Sequence, residues 1–351
     1  MALLTITRED FINKYENENT RKQIRNSFHA FDAFLEEINT QEPDLIQNLK
    51  RFAKSEDEDE KTEIYRILDK MQLFWTKDKH PNTIKAYFNY IRLWLQYNGL
   101  RIESFQIKNF IKFPKPIRSR PIPITREVIQ KLLENSPLKY KCYILLTATA
   151  GPRGIKEMLG LKIKDIDFKM NPTKLTIPGE IAKNGIERIT FLTPEATELL
   201  KEYVKDRESG EKIFDFTYAA VQWHISQLRD TVGMTGKMAN GKFHHLRIHK
   251  FRKFCETNIS NSQIPGTESD EFAHAILGHE KYLMTYYEVP EKEMAKMYSS
   301  AIPKLTISEN QRLKDENGKL KEKNDEIDQM KEKFAVMEAK LARMELTKKV
   351  I

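Results

Sequence analysis

The stretch HHLRIHKFRKF at residues 244–254 contains two nested His-x-x-Arg spacings, which could bring imidazole and guanidinium donors together. One spacing pairs His244 with Arg247, and the other pairs His249 with Arg252. Residues three apart on a helix share a face, so either pair could bind one ligand. A planar guanidinium forms paired hydrogen bonds with phosphate oxygens, which a lysine ammonium does poorly. The spacing by itself does not choose between the two pairs.

Two further cations occupy positions where a side chain can reach a ligand. Arg153 follows a Gly-Pro turn in TAGPRGIKEMLGL and precedes a predicted amphipathic helix. It could bind phosphate there, or Glu157 could simply hold it in place. Lys183 lies at the end of a predicted strand against the Asn184-Gly185 turn. It could protonate a leaving oxygen, which needs a matched pKa and close approach, or it could be a solubilising turn residue.

A histidine and two adjacent tyrosines follow in AHAILGHEKYLMTYYEVP, which supplies His279 and then Tyr286 and Tyr287. A tyrosine hydroxyl can attack phosphorus and remain as a phosphotyrosine ester, which conserves bond energy for later resealing. Neighbouring residues on a helix point about 100° apart, so only one of the two tyrosines can face a given phosphate. The alternative is that both are core aromatic residues.

Taken in order, these residues resemble the tyrosine recombinases, or phage-type integrases, and within them the archaeal and archaeal-virus branch. The resemblance covers roughly residues 75–307. It rests on an Arg in GPRGIKEMLGL, a Lys in AKNGIERITFL, a His-x-x-Arg in IHKFRKF, then LGH and a Tyr.

The resemblance implies a catalytic site made of one residue from each motif position. The six residues are Arg153, Lys183, His249, Arg252, His279 and Tyr286. The two arginines and two histidines would hold the scissile phosphate. The lysine would act as general acid on the leaving 5′ oxygen, and the tyrosine would be the nucleophile. The resemblance implies no metal ion and no other cofactor.

The family pattern also chooses between alternatives that spacing leaves open. The family pattern His-x-Leu-Arg-x-x-Phe is assigned to the second pair, through His249, Phe251, Arg252 and Phe254. The interval from His279 to the tyrosines is shorter than is usual in the family, which favours Tyr287. The run that follows resembles the archaeal branch, where the first aromatic residue is the usual nucleophile. We therefore predict Tyr286, with Tyr287 as the alternative and Tyr282 as a more remote one.

The elements that must position these residues are mainly helical. The first hundred residues are predicted to form amphipathic helices interrupted by an acidic loop at residues 55–63, with Thr83 as a helix cap. YKCYILLTATA and TPEATELLKEYVKD read as further helices, the second capped by Thr193. Three short strands, KLTIPG, EIA and IERITFL, lie between them. The predicted fold class is mainly α with a small antiparallel β-sheet (α+β).

Composition shifts divide the chain into five predicted segments. They are an N-terminal helical extension (1–60), a helical core-binding domain (61–112), a basic proline-rich linker (113–123), a catalytic domain (124–307) and a coiled-coil tail (308–351). In the tail, Leu313, Leu320 and Ile327 keep a seven-residue step, and apolar residues continue at alternating steps of three and four through Leu341 to Met344. This pattern predicts a self-associating helix. The alternative is one charged helix folded back on the body.

The net charge of +8 and a pI of about 9.1 favour a polyanionic partner. The sequence shows no apolar run long enough for a membrane span and no signal-peptide layout, and it has two cysteines. We therefore expect a cytoplasmic, intracellular protein without a membrane partner. The predicted DNA contacts are Lys112, Lys115, Arg118, Arg120, Arg247 and Lys250.

These observations and the resemblance together predict a site-specific DNA recombinase that integrates or excises a viral or plasmid element. Its partner would be a duplex attachment site, held between the helical and catalytic domains. The resemblance implies a tetramer on DNA, and the tail suggests a dimer contact. The alternatives are type IB topoisomerase-like relaxation, chromosome dimer resolution, and a non-catalytic DNA-binding protein on the same scaffold.

Overall fold

The computed structural model describes residues 7–116, 122–237, 244–283, 286 and 288–313, together with single residues between 317 and 337. The predicted residues Arg118, Arg120, Tyr287, Leu341 and Met344 lie outside the described set. The chain divides into two compact units at residues 119 and 120.

The first unit is helical throughout its described part. Its helices are α1 (Arg8–Asn13), α2 (Glu18–Glu37), α3 (Glu42–Lys54), α4 (Glu58–Trp75), α5 (Pro81–Tyr97) and α6 (Ser104–Phe110). Most begin at a side chain that accepts a backbone N–H, as Asn17 does at the start of α2.

One apolar core holds these helices together. Trp75 of α4 donates its indole N–H to the carbonyl of Ala30 in α2 at 2.8 Å, and Phe11 packs edge-on against Trp94 of α5. The same core extends from Phe11 to Ile111. The predicted boundary at residue 60 therefore does not separate two cores.

Two local predictions for this unit were wrong. The acidic stretch expected as a loop begins α4 at Glu58, with Asp57 as its N-cap. Carboxylates in a first turn are favoured by the partial positive charge of a helix N-terminus. The cap of α5 is His80, whose ring accepts the N–H of Asn82, and Thr83 already lies inside the helix. Pro81 explains the shift, because proline suits the first helical position.

The second unit combines helices with one small sheet. Its helices are α7 (Arg126–Glu134), α8 (Leu138–Thr149), α9 (Pro194–Val204), α10 (Tyr218–Gln227), α11 (His249–Ser260), α12 (Ser269–Ile276), α13 (Glu280–Leu283) and α14 (Glu291–Leu305). Its strands are β1 (Ile166–Asp167), β2 (Lys174–Ile177) and β3 (Arg188–Phe191). The order β1-β2-β3 is antiparallel throughout. This confirms the predicted fold class, mainly α with a small antiparallel sheet.

The sheet differs from the prediction in its third strand. EIA is a turn, because Ile181 and Ala182 both donate their N–H to the carbonyl of Pro178, at 3.1 and 3.0 Å. β2 pairs directly with β3, so no strand lies between them in the sheet. The third strand is β1, where Ile166 stands opposite Leu175. Strands β2 and β3 are therefore joined by a loop that carries Lys183.

The segment after Arg153 also differs from the predicted helix. Residues 154–160 form successive turns. Met158 donates its N–H to the carbonyl of Arg153, five residues back, at 3.0 Å, and the Glu157 carboxylate accepts the N–H of Arg153 at 2.8 Å. The side chain of Glu157 thus ties the end of these turns back to Arg153.

Helix α8 forms the buried centre of this unit, and α11 packs against it. The predicted cap of α9 is confirmed, since the Thr193 hydroxyl accepts the N–H of Ala196. In the tail, the predicted seam residues Leu313, Leu320, Ile327 and Phe334 are each about half exposed or more. Within the described residues, no helix combines the length and apolarity that a bilayer crossing needs.

Candidate functional site

The centre of the candidate site is Arg252, a buried residue on α11 that is 4% exposed. Its guanidinium donates to the backbone carbonyls of Gly151 and Leu277, the latter at 2.5 Å. Gly151 stands two residues before Arg153, and Leu277 stands two residues before His279. One side chain therefore fastens the loops that carry two other candidate residues to the helix that begins at His249.

Two glycines permit this close assembly. Gly151 has φ +71°, and a Cβ there would lie 2.4 Å from the Leu277 side chain. Gly278 has φ +73°, and a Cβ there would lie 2.7 Å from Cδ of Arg188. Both positions need a residue that tolerates left-handed backbone and leaves room for a neighbour.

Glu157 links two arginines beneath the site. Its buried carboxylate accepts from Arg188 of β3 at 2.6 and 3.2 Å and from the Arg153 side chain at 3.3 Å. Burial alone would raise the pKa of Glu157, but the hydrogen bonds and charge of Arg188, with those of Arg153, lower it below its ordinary value. Glu157 is therefore a fixed anion that orients Arg153, whose side chain remains 30% exposed.

Arg188 was missed by the sequence interpretation. Its Nε donates to the carbonyl of Ile276 at 3.1 Å, so it ties β3 to the end of α12 as well as to Glu157. The available signal was weak: an arginine at an inward-facing position of a short strand needs an acidic partner. Sequence spacing gives no indication that this partner is Glu157.

The electrostatics of the centre favour an anion. Burial, together with the charges of Arg153 and Arg188, lowers the pKa of Arg252 to about 10, so it remains a cation near pH 7. The two carbonyls engage two of the five N–H groups that a guanidinium carries. The remaining N–H groups and the exposed part of Arg153 can donate to a phosphate oxygen.

Two histidines flank this centre in neutral form. Although the His249 ring reaches solvent, desolvation by its neighbours and the charges of Arg247 and Arg252 lower its pKa from the ordinary 6.5. Burial, the neighbouring His274 and the charge of Arg252 likewise lower the pKa of His279. Each imidazole therefore offers one N–H and one lone pair at pH 7.

The first His-x-x-Arg pair lies before α11. The His244 ring meets the carbonyl of Thr235 at 3.0 Å, a local link to the preceding turn. His249 and Arg252 are one helical turn apart on α11, as the second reading of the spacing predicted.

Lys183 and Tyr286 stand apart from this cluster. Lys183 is exposed in the loop between β2 and β3, and within the described ranges no hydrogen bond or ion pair joins it to Arg252. Tyr286 is 6% exposed, packs edge-on against Phe272 with ring centroids 5.6 Å apart, and bonds through its hydroxyl to Thr267. The structure thus brings together four of the six predicted residues: Arg153, His249, Arg252 and His279.

The predicted DNA contacts have different surroundings. Lys112 and Lys115 are exposed in a segment of the first unit that has no regular structure. Lys250 is buried, and its ammonium donates to the carbonyl of Ile122 at 2.6 Å, so it links α11 to the chain before α7 instead of facing solvent. Arg247 is half-buried. Among the described residues, no three His, Cys, Asp or Glu side chains form a metal-binding group.

A family model and a curated relative each match part of this chain. Residues 123–292 match the model of the phage integrase family. A curated relative, tyrosine recombinase XerA of Saccharolobus solfataricus, is 30% identical over 145 residues, which is 38% of this chain and 48% of that protein. The match thus spans about half the length of that relative.

Solved structures show the same fold. A lambda integrase dimer bound to a COC′ core site matches with a TM-score of 0.54 and 14% identity, over 81% of this chain and 75% of that one. A lambda integrase tetramer bound to a Holliday junction matches with a TM-score of 0.52 and 14% identity, over 78% of this chain and 75% of that one. The family match at residues 123–292 covers just under half of this chain, so the comparisons show a segment that is similar to the phage integrase family and to tyrosine recombinase XerA.

Proposed function

We propose that this protein is a site-specific DNA recombinase that cuts and rejoins strands through a covalent 3′-phosphotyrosine. One observation carries the proposal: Arg252 fastens the loops of Arg153 and His279 to the helix of His249. Four donors from distant parts of the sequence thereby surround one point that favours an anion.

Binding of a backbone phosphate follows from these charges. Arg153 and Arg252 donate to the non-bridging oxygens, and their fixed positions neutralise the charge that grows as phosphorus becomes five-coordinate. His249 and His279 add neutral N–H donors. Because Glu157 and the backbone carbonyls already hold the arginines, little reorganisation is needed when DNA arrives.

The chemical step is an in-line displacement at phosphorus. Tyr286 Oη gives its proton to a neutral imidazole, that of His249 or His279, and forms a bond to phosphorus as the bond to the 5′ oxygen breaks. Lys183 gives a proton to that leaving oxygen. The products are a 3′-phosphotyrosine and a free 5′-hydroxyl. Attack by the 5′-hydroxyl of a partner strand then reverses the step and joins the new strands, with no net change in the number of phosphodiester bonds.

The tyrosine must move before it attacks. Its hydroxyl is bonded to Thr267 in an apolar surrounding that includes Phe272, so it cannot face phosphorus from there. In our proposal, DNA binding exchanges this contact for the phosphate and brings the Lys183 loop to the leaving oxygen.

The partner we propose is a duplex DNA attachment site, with four protomers in the synapse. The net charge of +8 and the DNA-bound dimer and tetramer of the structural neighbours support this. The exposed apolar residues at heptad spacing in the tail, Leu313, Leu320 and Ile327, support a coiled-coil dimer contact.

We assign the protein to a mobile element, either viral or plasmid, and to the archaeal branch of the family. The XerA relative from Saccharolobus solfataricus supports the archaeal assignment. Support for a mobile element comes from the helical segment before residue 60 and from the tail.

Covalent trapping tests the proposal directly. Duplexes recovered from a random-sequence pool by binding to the protein are nicked close to the bound site, so that the short cleaved strand diffuses away. The parent protein is expected to form an adduct that survives denaturation. Tyr286→Phe removes the nucleophile and abolishes the adduct, whereas Tyr287→Phe, the matched control, retains it.

Other outcomes distinguish the alternatives. An adduct that disappears only in Tyr287→Phe transfers the nucleophile to that residue. Relaxation of a supercoiled plasmid without joining of separate duplexes indicates a topoisomerase-like enzyme. Specific binding with no adduct from the parent protein overturns the proposal in favour of a DNA-binding protein without catalytic activity.

A further inference from the structure

His274 lies beside His279 because of the way in which helix α12 ends. The backbone N–H of His279 donates to the carbonyl of His274 at 2.9 Å, and that of Gly278 donates to the carbonyl of Ala275 at 2.8 Å. These two bonds, with Gly278 at φ +73°, form a Schellman motif. An apolar contact frequently joins the side chains at the positions that His274 and His279 occupy in this motif. Here two imidazoles make that contact.

The two imidazoles share one hydrogen bond. The Nδ1 atoms of His274 and His279 are 2.7 Å apart, and the ring centroids are 4.8 Å apart. At that distance one proton lies between the two nitrogens, because two lone pairs or two N–H groups would repel each other. In the neutral pair, one ring therefore carries its proton on Nδ1 and the other carries its proton on Nε2.

The groups around His274 favour a proton on its Nε2. Oδ2 of Asp270 lies 3.6 Å from that nitrogen, and the other oxygen of the same carboxylate accepts from the Ser260 hydroxyl at 2.8 Å. A carboxylate attracts an N–H group and repels a lone pair. A neutral His274 with its proton on Nε2 has a bare Nδ1, so it accepts the hydrogen bond from His279.

The charges around His279 favour the same arrangement. Arg252 and Arg153 are cations that act on this ring, and the carboxylate of Glu256 opposes them. Two cations against one anion favour a lone pair over an N–H group on the nitrogen of His279 that lies outside the imidazole pair. Both rings therefore agree on one state, in which His279 donates its Nδ1–H to Nδ1 of His274 and has a lone pair on Nε2.

We propose that His274 is a positioning residue that acts through His279: it fixes the tautomer of His279 and then takes up its Nδ1 proton. Nε2 of His279 accepts the proton of the attacking tyrosine, and the Nδ1 proton of His279 passes to Nδ1 of His274. His279 is then neutral again, with its proton on Nε2, and the positive charge rests on His274. The same transfers in reverse return the proton when a 5′-hydroxyl attacks the phosphotyrosine.

Transfer of the charge to His274 has a physical advantage. A cation on His279 would be repelled by the two arginines of the site. On His274 the same cation lies 3.6 Å from the carboxylate of Asp270 and stacks on the ring of Tyr282, with centroids 4.9 Å apart. An opposite charge and an aromatic face both stabilise an imidazolium ion. The pair can therefore accept a proton where a single imidazole would be a weak base.

The transfer also changes what His279 offers to the phosphate. Once the tyrosine has lost its proton, Nε2–H of His279 can donate to an oxygen whose negative charge is growing. The inference rests on the proposed function in one respect, namely that the proton comes from the attacking tyrosine. The tautomer of the free protein does not depend on it.

Two variants separate orientation, proton transfer and packing. His274→Asn places an amide oxygen near the position of Nδ1, so it can accept from His279 but cannot take up a proton. His274→Phe keeps an aromatic ring against Tyr282 and the contact at the helix end, but it can neither accept nor take up a proton. A packing role would be kept by phenylalanine and lost by asparagine, which is the reverse of the order expected here.

The first readout is nitrogen-15 and carbon-13 NMR of both imidazoles in the full-length protein without DNA, titrated from pH 9 to 5. At the alkaline end, the parent and His274→Asn are expected to show the Nδ1–H form of His279, and His274→Phe is expected to show a mixture. As pH falls, the first proton in the parent is expected on His274, and His279 should change to the Nε2–H form in the same step. An Nε2–H form at the alkaline end, or a first protonation that leaves the cation on His279, overturns the inference.

The second readout is the rate of covalent adduct formation against pH. We expect His274→Asn to be roughly 10-fold slower than the parent and His274→Phe about 10²-fold slower, since general-base catalysis contributes about 10²–10⁴-fold. In His274→Asn the loss of rate at acid pH should shift to lower pH, because an imidazole beside two arginines holds a proton weakly when it has no partner to share it. Equal rates and equal pH profiles for the parent and His274→Asn overturn the relay. If the parent forms no adduct, the proposed function fails, whereas the NMR titration still confirms or overturns the tautomer.

Discussion

The arginine-centred cluster and the tyrosine segment of the second unit are built in opposite ways. In the cluster, Arg188 and Arg252 are buried and each is held by two or more fixed acceptors. Tyr286 is buried too, but among the described residues the partner of its hydroxyl is Thr267, another neutral side chain.

The difference has a physical reason. A cation can be buried only where fixed partners offset its desolvation, so the folded chain itself holds the charges of the cluster in place. A neutral phenol is inexpensive to bury and to release, since a single hydrogen bond contributes about 0.5–1.5 kcal/mol. In the proposed reaction, the cluster is therefore preformed, whereas the proposed nucleophile has to leave a weak contact.

The largest expected effect comes from breaking the buried ion pair. Arg188→Met leaves Glu157 buried with only Arg153, and removal of one partner of such a pair typically costs about 3–5 kcal/mol. The measurement is the urea concentration at which half of the second unit is unfolded. Pulse-labelled hydrogen exchange in peptides of α8 is the probe of unfolding.

The control is the exposed pair of Lys201 with Glu198 on α9. Lys201→Met is expected to lower the free energy of unfolding by less than about 1 kcal/mol. An Arg188→Met loss as small as this would show that the pair does not hold the cluster together.

The next largest effect is expected from a change at Arg252, whose planar guanidinium bonds two backbone carbonyls at once. Arg252→Lys keeps the charge, but one ammonium cannot span the carbonyls of Gly151 and Leu277 as the guanidinium does. We expect adduct formation to slow by about 10²–10³-fold. Lys253→Arg, the exposed neighbour on α11, is the matched control and should change the rate little. Equal rates for the parent and Arg252→Lys would contradict this role.

A smaller effect is expected from the contact between Thr267 and Tyr286. Thr267→Val removes the hydroxyl that holds Tyr286, so single-turnover adduct formation should become up to about 10-fold faster, corresponding to one lost hydrogen bond. Thr267→Ser keeps the hydroxyl and should behave like the parent. Slower cleavage in Thr267→Val alone would mean that Thr267 helps Tyr286 to attack instead of retaining it.

The smallest effect concerns pH. The pKa values of His249 and His279 are lowered in the folded chain, so between those values and 6.5 the unfolded chain binds more protons. The second unit should therefore lose stability as pH falls below 6.5. Urea midpoints measured from pH 8 to 5 test this pH dependence, with the hydrogen-exchange labelling step always carried out at one fixed pH. His249→Gln combined with His279→Gln should flatten the dependence, and an unchanged slope would contradict the assignment.

Motif order allowed the candidate residues to be named from the sequence, and their roles in a site stay predictions. Arg153, His249, Arg252 and His279 were each identified from a short local pattern, because the chemistry of phosphate binding restricts which residue types can serve. The fold class followed in the same way from apolar periodicity and turn residues, as the confirmed α9 cap at Thr193 shows. A local sequence pattern predicts a feature correctly where that feature depends on residues close together in the chain, as a helix cap does.

Only the tertiary structure decided the remainder. Glu157 meets Arg188 across 31 positions, and Arg252 meets Gly151 across 101, and no local pattern encodes such distances. The segment after Arg153 forms turns instead of the predicted helix, with Glu157 bonded to Arg188 of β3. His274 and Thr267 looked unremarkable in sequence, and they matter because folding places them against His279 and Tyr286. The sequence by itself determined which chemical groups are available, and packing determined their partners, because the cost of burying charge is set by neighbours distant in the chain.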